Sequence, residues 1–505
     1  MKQKKKNTYR IIVLMLVVML VAALFTLTKQ QTKDTSFPTQ IYKVENNAKI
    51  TLEAKPVTKI IDGKKLELFT YNGQFPGPLL KVKQKSKIKV KFTNNIDMPT
   101  TIHWHGLRHD NKDDGVPNVT QLPIKPGETY DYELKFPDAG MYWYHPHIRE
   151  DIQQEKGLYG AILVEPAIPQ GTQPDVEIPL ILDDMLVEDG KLYPFSEKFS
   201  DFALMGRFGN MMLVNGEVDY LLHVKQGQVV RFYLLNAANV RPFKFAIENI
   251  PLKIIASDLS SYERSFFTDS VIIAPAERYI MDVLFDQAGT FNILNQNPMK
   301  SYTLGKIVVE AATNNQDKTL TAEEYLLTQQ DIARFRLYFT KEPDFTFTLT
   351  LDMRGMVMDD MMDMHEEDTI EWEDTMFMMN QMHTNNMMEW AIQDEVTGKR
   401  NMDVMKEVKK GDVKIIRLNN TKDSEHPMQH PIHLHGQRFL VLRENGKENN
   451  NLVWKDTALI PKGSTVDLLV DFTNPGKWMM HCHIAEHLEA GMMMQFNVEE
   501  NNKMA

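Results

Sequence analysis

Only one of the 505 residues is a cysteine, Cys482, so no intramolecular disulfide can form and stability must come from packing or bound metal. Basic residues are also in short supply. Fifty-seven Lys and Arg against 68 Asp and Glu leave a formal net charge of -11, which argues against a nucleic-acid partner and the basic face it requires. With 43% hydrophobic and 25% charged residues, the composition lies well away from the disordered range. The length fits about three domains with sizeable cores. What the chain has in excess is methionine, 32 residues.

Lys2, Lys4, Lys5, Lys6 and Arg10 precede an apolar run over residues 11–27, a positive flank followed by a signal or anchor core. No Ala-x-Ala cleavage site follows Ala22 and Ala23. An uncleaved anchor is therefore favoured over a removed signal, with residues 28–39 as a polar tether and the rest of the chain outside the cytoplasm. Either reading places the protein extracytoplasmically, membrane-anchored or secreted.

Self-comparison gives the strongest organisational signal. One strand signature recurs at residues 82–94 (VKQKSKIKVKFTN), 224–236 (VKQGQVVRFYLLN) and 408–420 (VKKGDVKIIRLNN). A second follows each: FPDAG at 136–140, FDQAG at 285–289 and FTNPG at 472–476. Short alternating apolar segments between Pro/Gly turns indicate antiparallel β-sandwiches or barrels. The expected fold is all-β, with three such domains at 40–166, 167–312 and 325–500 after an N-terminal segment at 1–39. The Pro/Gln-rich stretch 165–177 and the polar stretch 311–323 serve as linkers.

Ten of the 15 histidines fall into four short clusters, eight of them as His-x-His pairs placed by the repeat. His103-Trp104-His105 and His433-Leu434-His435 follow the first signature in domains one and three; His145-Pro146-His147 and His481-Cys482-His483 follow the second. The middle domain reads Phe243-Lys244-Phe245 and Leu294-Asn295-Gln296 there, so it is expected to be a metal-free spacer. Residues i and i+2 of a strand share a face, and each His-x-His therefore presents two imidazoles together. An isolated pair is usually structural, but four at equivalent positions describe a metal site shared by domains one and three. By the same alternation the Cys482 thiol faces away from His481 and His483. With His487 and Met492 five and ten residues beyond it, and His430 opening the cluster His430-Pro431-Ile432-His433, it has the donors of a blue-copper electron-transfer site. The path from that site to the histidines is on the order of 10 Å through bonds.

These four clusters and the threefold repeat resemble the three-cupredoxin members of the multicopper oxidase family over roughly residues 40–499. The resemblance implies Greek-key cupredoxin domains and four coppers per chain. It implies type 1 ligands His430, Cys482, His487 and axial Met492, and type 2 ligands His103 and His433. It further implies type 3 ligands His105, His145, His147, His435, His481 and His483, with dioxygen reduced to water. Asp114, nine residues after His105, matches an acidic residue of the family's proton supply; its alternative is a turn Asp in Asp113-Asp114-Gly115. Many bacterial relatives carry a Glu directly after the last type 1 histidine, where this chain has Leu488, with Glu489 following.

Twelve methionines lie within 353–388, with nine carboxylates, His365, His383 and one Arg. Carboxylates so dense resist burial, so this stretch is expected to be a solvated, mobile insert in domain three. Thioethers favour Cu(I), and the acidic field favours cations. Bacterial cuprous oxidases carry a similar insert over the type 1 site. The candidate substrate Cu(I) ligands are Met353, Met356, Met358, Asp359, Asp360 and Met361, together with Met428. His426 stands where those enzymes have an Asp.

The favoured function is a cuprous oxidase that protects against copper. The alternatives are a laccase-like oxidase of phenols or other aromatics and a non-catalytic extracytoplasmic copper buffer, which would not need all eight cluster histidines. A two-site nitrite reductase would leave the type 3 histidines unexplained. Because domains one and three share one chain, a monomer suffices.

Overall fold

In the strand Lys87–Asn94, Ile88, Val90, Phe92 and Asn94 are buried while Lys87, Lys89 and Lys91 are exposed, the period-two pattern of a sheet with one wet face. Such strands fill a computed structural model that describes residues 33–312, 318–353 and 369–500. The apolar run 11–27 and five candidate ligands, Met356, Met358, Asp359, Asp360 and Met361, lie outside the described residues. Among the described residues no helix is long and apolar enough to cross a membrane.

Each repeat forms two facing sheets, with five and four strands in domain one and six and five strands in domains two and three. The first signature always crosses from one sheet to the other. In domain one Leu79–Lys83 lies in the five-stranded sheet and Lys87–Asn94 in the four-stranded one. Tyr220–Lys225 with Val229–Asn236, and Met405–Lys409 with Val413–Asn420, repeat that crossing. The sheets are mixed, whereas the alternation had suggested antiparallel ones. Lys49–Ile61 runs parallel to Lys87–Asn94, as do Val176–Met185 to Val229–Asn236 and Phe345–Met353 to Val413–Asn420. A crossing strand meets neighbours from distant parts of the chain, and the intervening segments supply the crossover that parallel pairing needs.

The two signatures recur because they bond to each other. Lys85, Gly227 and Gly411, at φ +68°, +82° and +91°, donate their N–H groups to the carbonyls of Phe136, Phe285 and Phe472, each at 2.7 Å. Glycine takes that backbone region without strain and lysine does not. The closing asparagine repeats too. Asn94 Nδ2 donates to the Met98 and Ile124 carbonyls, Asn236 to Arg241 and Ile273, and Asn420 to Met428 and Ile460. Each tie satisfies buried carbonyls that would otherwise be left unpaired.

Two expectations are corrected. The ends of the methionine-dense stretch are not solvated: Met353 and Met388 pair across adjacent strands in the core of domain three, and Trp372 and Asn380 are buried. Apolar and amide groups anchor 369–388, and Glu373 is drawn in against the buried Arg241 guanidinium at 2.9 Å. In the middle domain, strand pairing sets Leu294 opposite Ala246, as His145 lies opposite His103 and His481 opposite His433. Ala246, three residues beyond Phe243, therefore occupies the ligand-equivalent place, because the loop after the first signature differs in length.

Candidate copper centres

Domains one and three bring the four His-x-His segments face to face. His103 stacks on His435 with ring centroids 3.9 Å apart, and His105 stacks on His433 at 3.6 Å, so equivalent rings are exchanged about a pseudo-twofold axis. His147, opposite His481 at 5.2 Å, is 7% exposed and the other seven are 1% or less. Burial pushes the pKa of His105, His145, His435, His481 and His483 well below the usual imidazole range and that of His147 down to about 3. The rings are therefore neutral, the form that binds metals.

Which nitrogen is free follows from the partner of the other one, since a carbonyl or carboxylate oxygen only accepts. His103 and His433 donate Nδ1–H to the backbone carbonyls of Asp114 and Asp456, each at 2.8 Å. His435 donates Nδ1–H to Asp114 Oδ2 at 2.9 Å. His105 is turned over and donates Nε2–H to Asp456 Oδ1 at 3.1 Å. One aspartate per domain thus fixes one ring through its main chain and a ring of the other domain through its side chain. Unpaired buried nitrogens remain: Nε2 of His103, His145, His147, His433 and His483, and Nδ1 of His105. His435 and His481 point their Nε2 atoms at each other at 2.9 Å, while both Nδ1 atoms are engaged. Two facing lone pairs and six orphaned nitrogens fit bound metal ions and make an unpaired protein interior costly.

The second centre forms where sheet alternation turns Cys482 the other way. Its Sγ lies 3.6 Å from His430 Nδ1 and 3.8 Å from His487 Nδ1, and the two nitrogens are 3.4 Å apart. A point equidistant from all three is about 2 Å from each, a metal–ligand bond length. Met492 is tied in by its main chain: it accepts the Cys482 N–H and donates its own to His487. Its side chain is fully buried. Trp390 stacks on the His487 ring at 4.1 Å and meets His430 edge-on at 4.9 Å.

Two glycines let the segments close. Gly115, at φ +82°, passes the Ile102 carbonyl where a Cβ would lie 1.9 Å away, so Asp114 can turn in on His103. Gly106, at φ +84°, leaves room for Asp456 Oδ2, which a Cβ would approach to 2.3 Å.

Of the proton-handling candidates, Asp114 is fully buried among these rings. Glu489 accepts N–H groups from Arg149 and Glu150, and burial followed by the charge of Asp151 raises its carboxyl to about 7. Leu488 packs with Val116 and Met479, so that position is apolar. Sequence reasoning missed Glu150, which is 1% exposed with Oε1 3.1 Å from His147 Nδ1; an acidic residue three beyond His147, where a short helix begins, was the available signal. It also missed Asp456, 21 residues after His435, whereas Asp114 lies nine after His105. Met428 is buried in the core of domain three. His426 is 1% exposed, and among the described residues neither ring nitrogen has a hydrogen-bond partner; burial lowers its pKa to about 4.

Three cupredoxin-like sandwiches with one Cys-His-His centre and one eight-histidine cluster define a copper-dependent oxidoreductase. Family models described as multicopper oxidase match residues 53–168, 179–319 and 372–502, and the chain belongs to the multicopper oxidase family, of which four coppers are typical. It is 28% identical to the multicopper oxidase mco of Staphylococcus aureus over 90% of both chains. To the multicopper oxidase MmcO of Mycobacterium tuberculosis it is 26% identical, over 88% of this chain and 85% of that one. Among solved structures it superposes on a laccase-like multicopper oxidase, CueO, from Ochrobactrum sp. with a TM-score of 0.70. That match has 26% identity and covers 92% of this chain and all of the other. The multicopper oxidase of Pseudomonas thermotolerans gives a TM-score of 0.67 at 27% identity, over 91% of this chain and all of the other.

Proposed function

We propose that the chain oxidises Cu(I) outside the cytoplasm and delivers the electrons to dioxygen. His430, Cys482, His487 and Met492 hold the type 1 copper. His103 and His433 hold the type 2 ion, and His105, His145, His147, His435, His481 and His483 hold the type 3 pair. When bound, these ions accept single electrons from the reductant and reduce dioxygen to water by four electrons. The protein's part is to exclude water, fix the ring nitrogens and join the two centres through the main chain of residues 481–483. Asp114 holds His103 and His435 in place. Glu150, 3.1 Å from His147 Nδ1, and Glu489, whose carboxyl burial raises to about 7, are the carboxyls that hold a proton on this side of the cluster. The basic flank and residues 11–27 support export with anchoring.

The observation that carries Cu(I) as substrate is a pair of exposed methionines on the segment that leads into the strand packed against the His487 ring. Helix Phe377–Met382 leaves Met378 and Met382 77% and 66% exposed, and the strand that follows carries Trp390 onto the His487 ring. Exposed thioethers are poor packing and good Cu(I) donors, and the methionines of 354–368 precede them in sequence. Buried His426, four residues from His430, has no hydrogen-bond partner among the described residues. A specific feature favours the second reading, a laccase-like oxidase. A cavity of about 450 Å³ is lined by Tyr193, Phe208, Tyr302, Phe377 and Arg241, a size and chemistry suited to an aromatic reductant.

The test is steady-state kinetics with Cu(I) and with a phenol on copper-loaded protein. Met356, Met358, Met361, Met362, Met364, Met378 and Met382 are replaced by Ser. Substitution avoids excising buried Trp372 and Asn380. Cu(I) oxidation should fall while phenol oxidation holds or rises; unchanged Cu(I) kinetics would reject the reading.

A further inference from the structure

None of the eight clustered histidines comes from the middle domain, yet one of its side chains reaches them. Arg278, in the strand Arg278–Leu284, is fully buried. Its Nε–H donates to the Met141 carbonyl of domain one at 2.7 Å, and Nη1 donates to the Ala276 carbonyl of its own domain at 3.1 Å. Nη1 and Nη2 also donate to Asp456 Oδ1 and Oδ2 of domain three, at 2.6 and 2.5 Å. One planar guanidinium therefore ties three domains together, a task that suits Arg and not Lys.

Both Asp456 oxygens are acceptors for Arg278, and Oδ1 also accepts the Thr457 hydroxyl at 2.8 Å, so no proton is left on the carboxylate to donate. The Asp456–His105 contact can then run only from His105 Nε2–H to Oδ1, and the Thr457 hydroxyl oxygen, 3.0 Å from Nε2 with its proton given to Oδ1, accepts from the same N–H, which frees Nδ1. The pseudo-symmetric partner, Asp114 on His435, leaves Nε2 free instead. Among the described residues no arginine grips Asp114; its Oδ1 lies 3.3 Å from His103 Nδ1 and 3.8 Å from His109 Nε2. The two halves of the cluster thus differ in one ring orientation, and the clamp stands on the half that is turned over. Gly106 is part of the device, since a Cβ there would lie 2.3 Å from Asp456 Oδ2 and 2.9 Å from Arg278 Nη2.

We propose that Arg278 is a positioning residue of the trinuclear centre: by gripping both oxygens of Asp456 it orients His105 so that Nδ1, not Nε2, meets the metal. This rests on the assignment of His105 as a copper ligand. The middle domain is then a structural member of the site and not only a spacer. Fixing a ligand ring through a hydrogen-bonded carboxylate is a recognised control on metal affinity, with losses of about 10–100-fold when such a partner is removed.

The test compares copper-loaded wild type with Arg278→Lys, Arg278→Met and the double variant Arg278→Met/Asp456→Asn. Copper per chain, the blue absorption of the cysteine centre, the near-ultraviolet absorption of the coupled pair and the type 2 electron paramagnetic resonance signal are measured. Single variants should keep the blue band per folded chain but bind fewer coppers, with the pair's absorption lost or weakened and the type 2 signal altered. Arg278→Lys, which keeps charge without the fork, should fall between wild type and Arg278→Met. Should Arg278→Met fail to fold because Asp456 is left buried and unpaired, the double variant removes that charge and should show the same selective loss. Four coppers with unchanged spectra in the variants would overturn the proposal, as would parallel loss of blue band and pair absorption, the signature of general destabilisation. A wild type without the coupled-pair absorption would instead overturn the underlying ligand assignment.

Discussion

Gly106→Ala puts a methyl group where domains one, two and three meet, and its cost can be separated from that of the backbone alone. At φ +84° an alanine loses on the order of 1–2 kcal/mol from the left-handed conformation. The added Cβ also falls 2.3 Å from Asp456 Oδ2, 2.9 Å from Arg278 Nη2 and 3.1 Å from the Tyr142 ring. All three neighbours are fully or almost fully buried, and overpacking of this kind costs about 1–3 kcal/mol more. Gly127, at φ +82° with nothing within 4 Å of its Cβ, supplies the control: Gly127→Ala should lose only the backbone share. The unfolded-state entropy gain from Gly→Ala is common to both and cancels. Chemical denaturation of the copper-free proteins provides the assay, read as the order of midpoints because a three-domain chain need not unfold in two states. Gly106→Ala should unfold at clearly lower denaturant than Gly127→Ala, and after copper loading it should show weakened coupled-pair absorption with the blue band intact. Equal midpoints for the two variants would refute the crowding argument and weaken the case that Asp456 and Arg278 are rigidly placed.

Other outcomes follow from the same geometry. Cys482→Ser should abolish the blue absorption while the eight-histidine cluster still binds copper, as metal analysis can check; a blue Cys482→Ser protein would exclude the Cys482, His430 and His487 centre. His426→Ala should raise KM for Cu(I) by at least about tenfold, the scale of losing a partner at a metal site, and leave phenol kinetics unchanged. Asn236→Ala in the middle domain removes bonds to the Arg241 and Ile273 carbonyls and from the Ala238 N–H. It should cost about 3–9 kcal/mol, at about 1–3 kcal/mol for each of the three buried groups left unpaired. A loss under about 1 kcal/mol in thermal denaturation would count against that role. For pH dependence, burial works to raise the Glu323 carboxyl, but the buried Lys253 ammonium at 2.7 Å and Thr172 hold it at about 2 in the folded chain. Its unfolded value is 4.5, so its stabilisation is present above 4.5 and is lost as pH falls toward 2. Glu323→Gln should lower stability at neutral pH and flatten the acid limb between those values; an acid limb parallel to that of wild type would contradict the pairing.

The repeat could be read from sequence because its two signatures encode a local device three times over: a positive-φ turn bonded to a phenylalanine carbonyl, then an asparagine closing a buried loop. His-x-His pairs were legible for the same reason, since strand alternation sends i and i+2 to one face whatever the rest of the chain does. The slip from Ala246 to Phe243 shows where that reasoning stops, because loop length between repeats is free while strand register is not. Solvation of the methionine-dense stretch was misjudged at its ends, where Met353 and Met388 continue a ladder that composition cannot reveal.

By itself the sequence determined the fold class, the candidate metal-ligating residues and the separation of the cysteine from its histidine neighbours, all of which depend on period and spacing along one chain. Only the tertiary structure decided which nitrogen of each ring is free. That choice is made by the hydrogen-bond partner of the other nitrogen, and for His105 and His435 the partner belongs to another domain. Arg278 and Asp456 lie 178 residues apart, with no periodic relation to any motif. Their meeting beside His105 is fixed by the packing of three domains and by no local pattern.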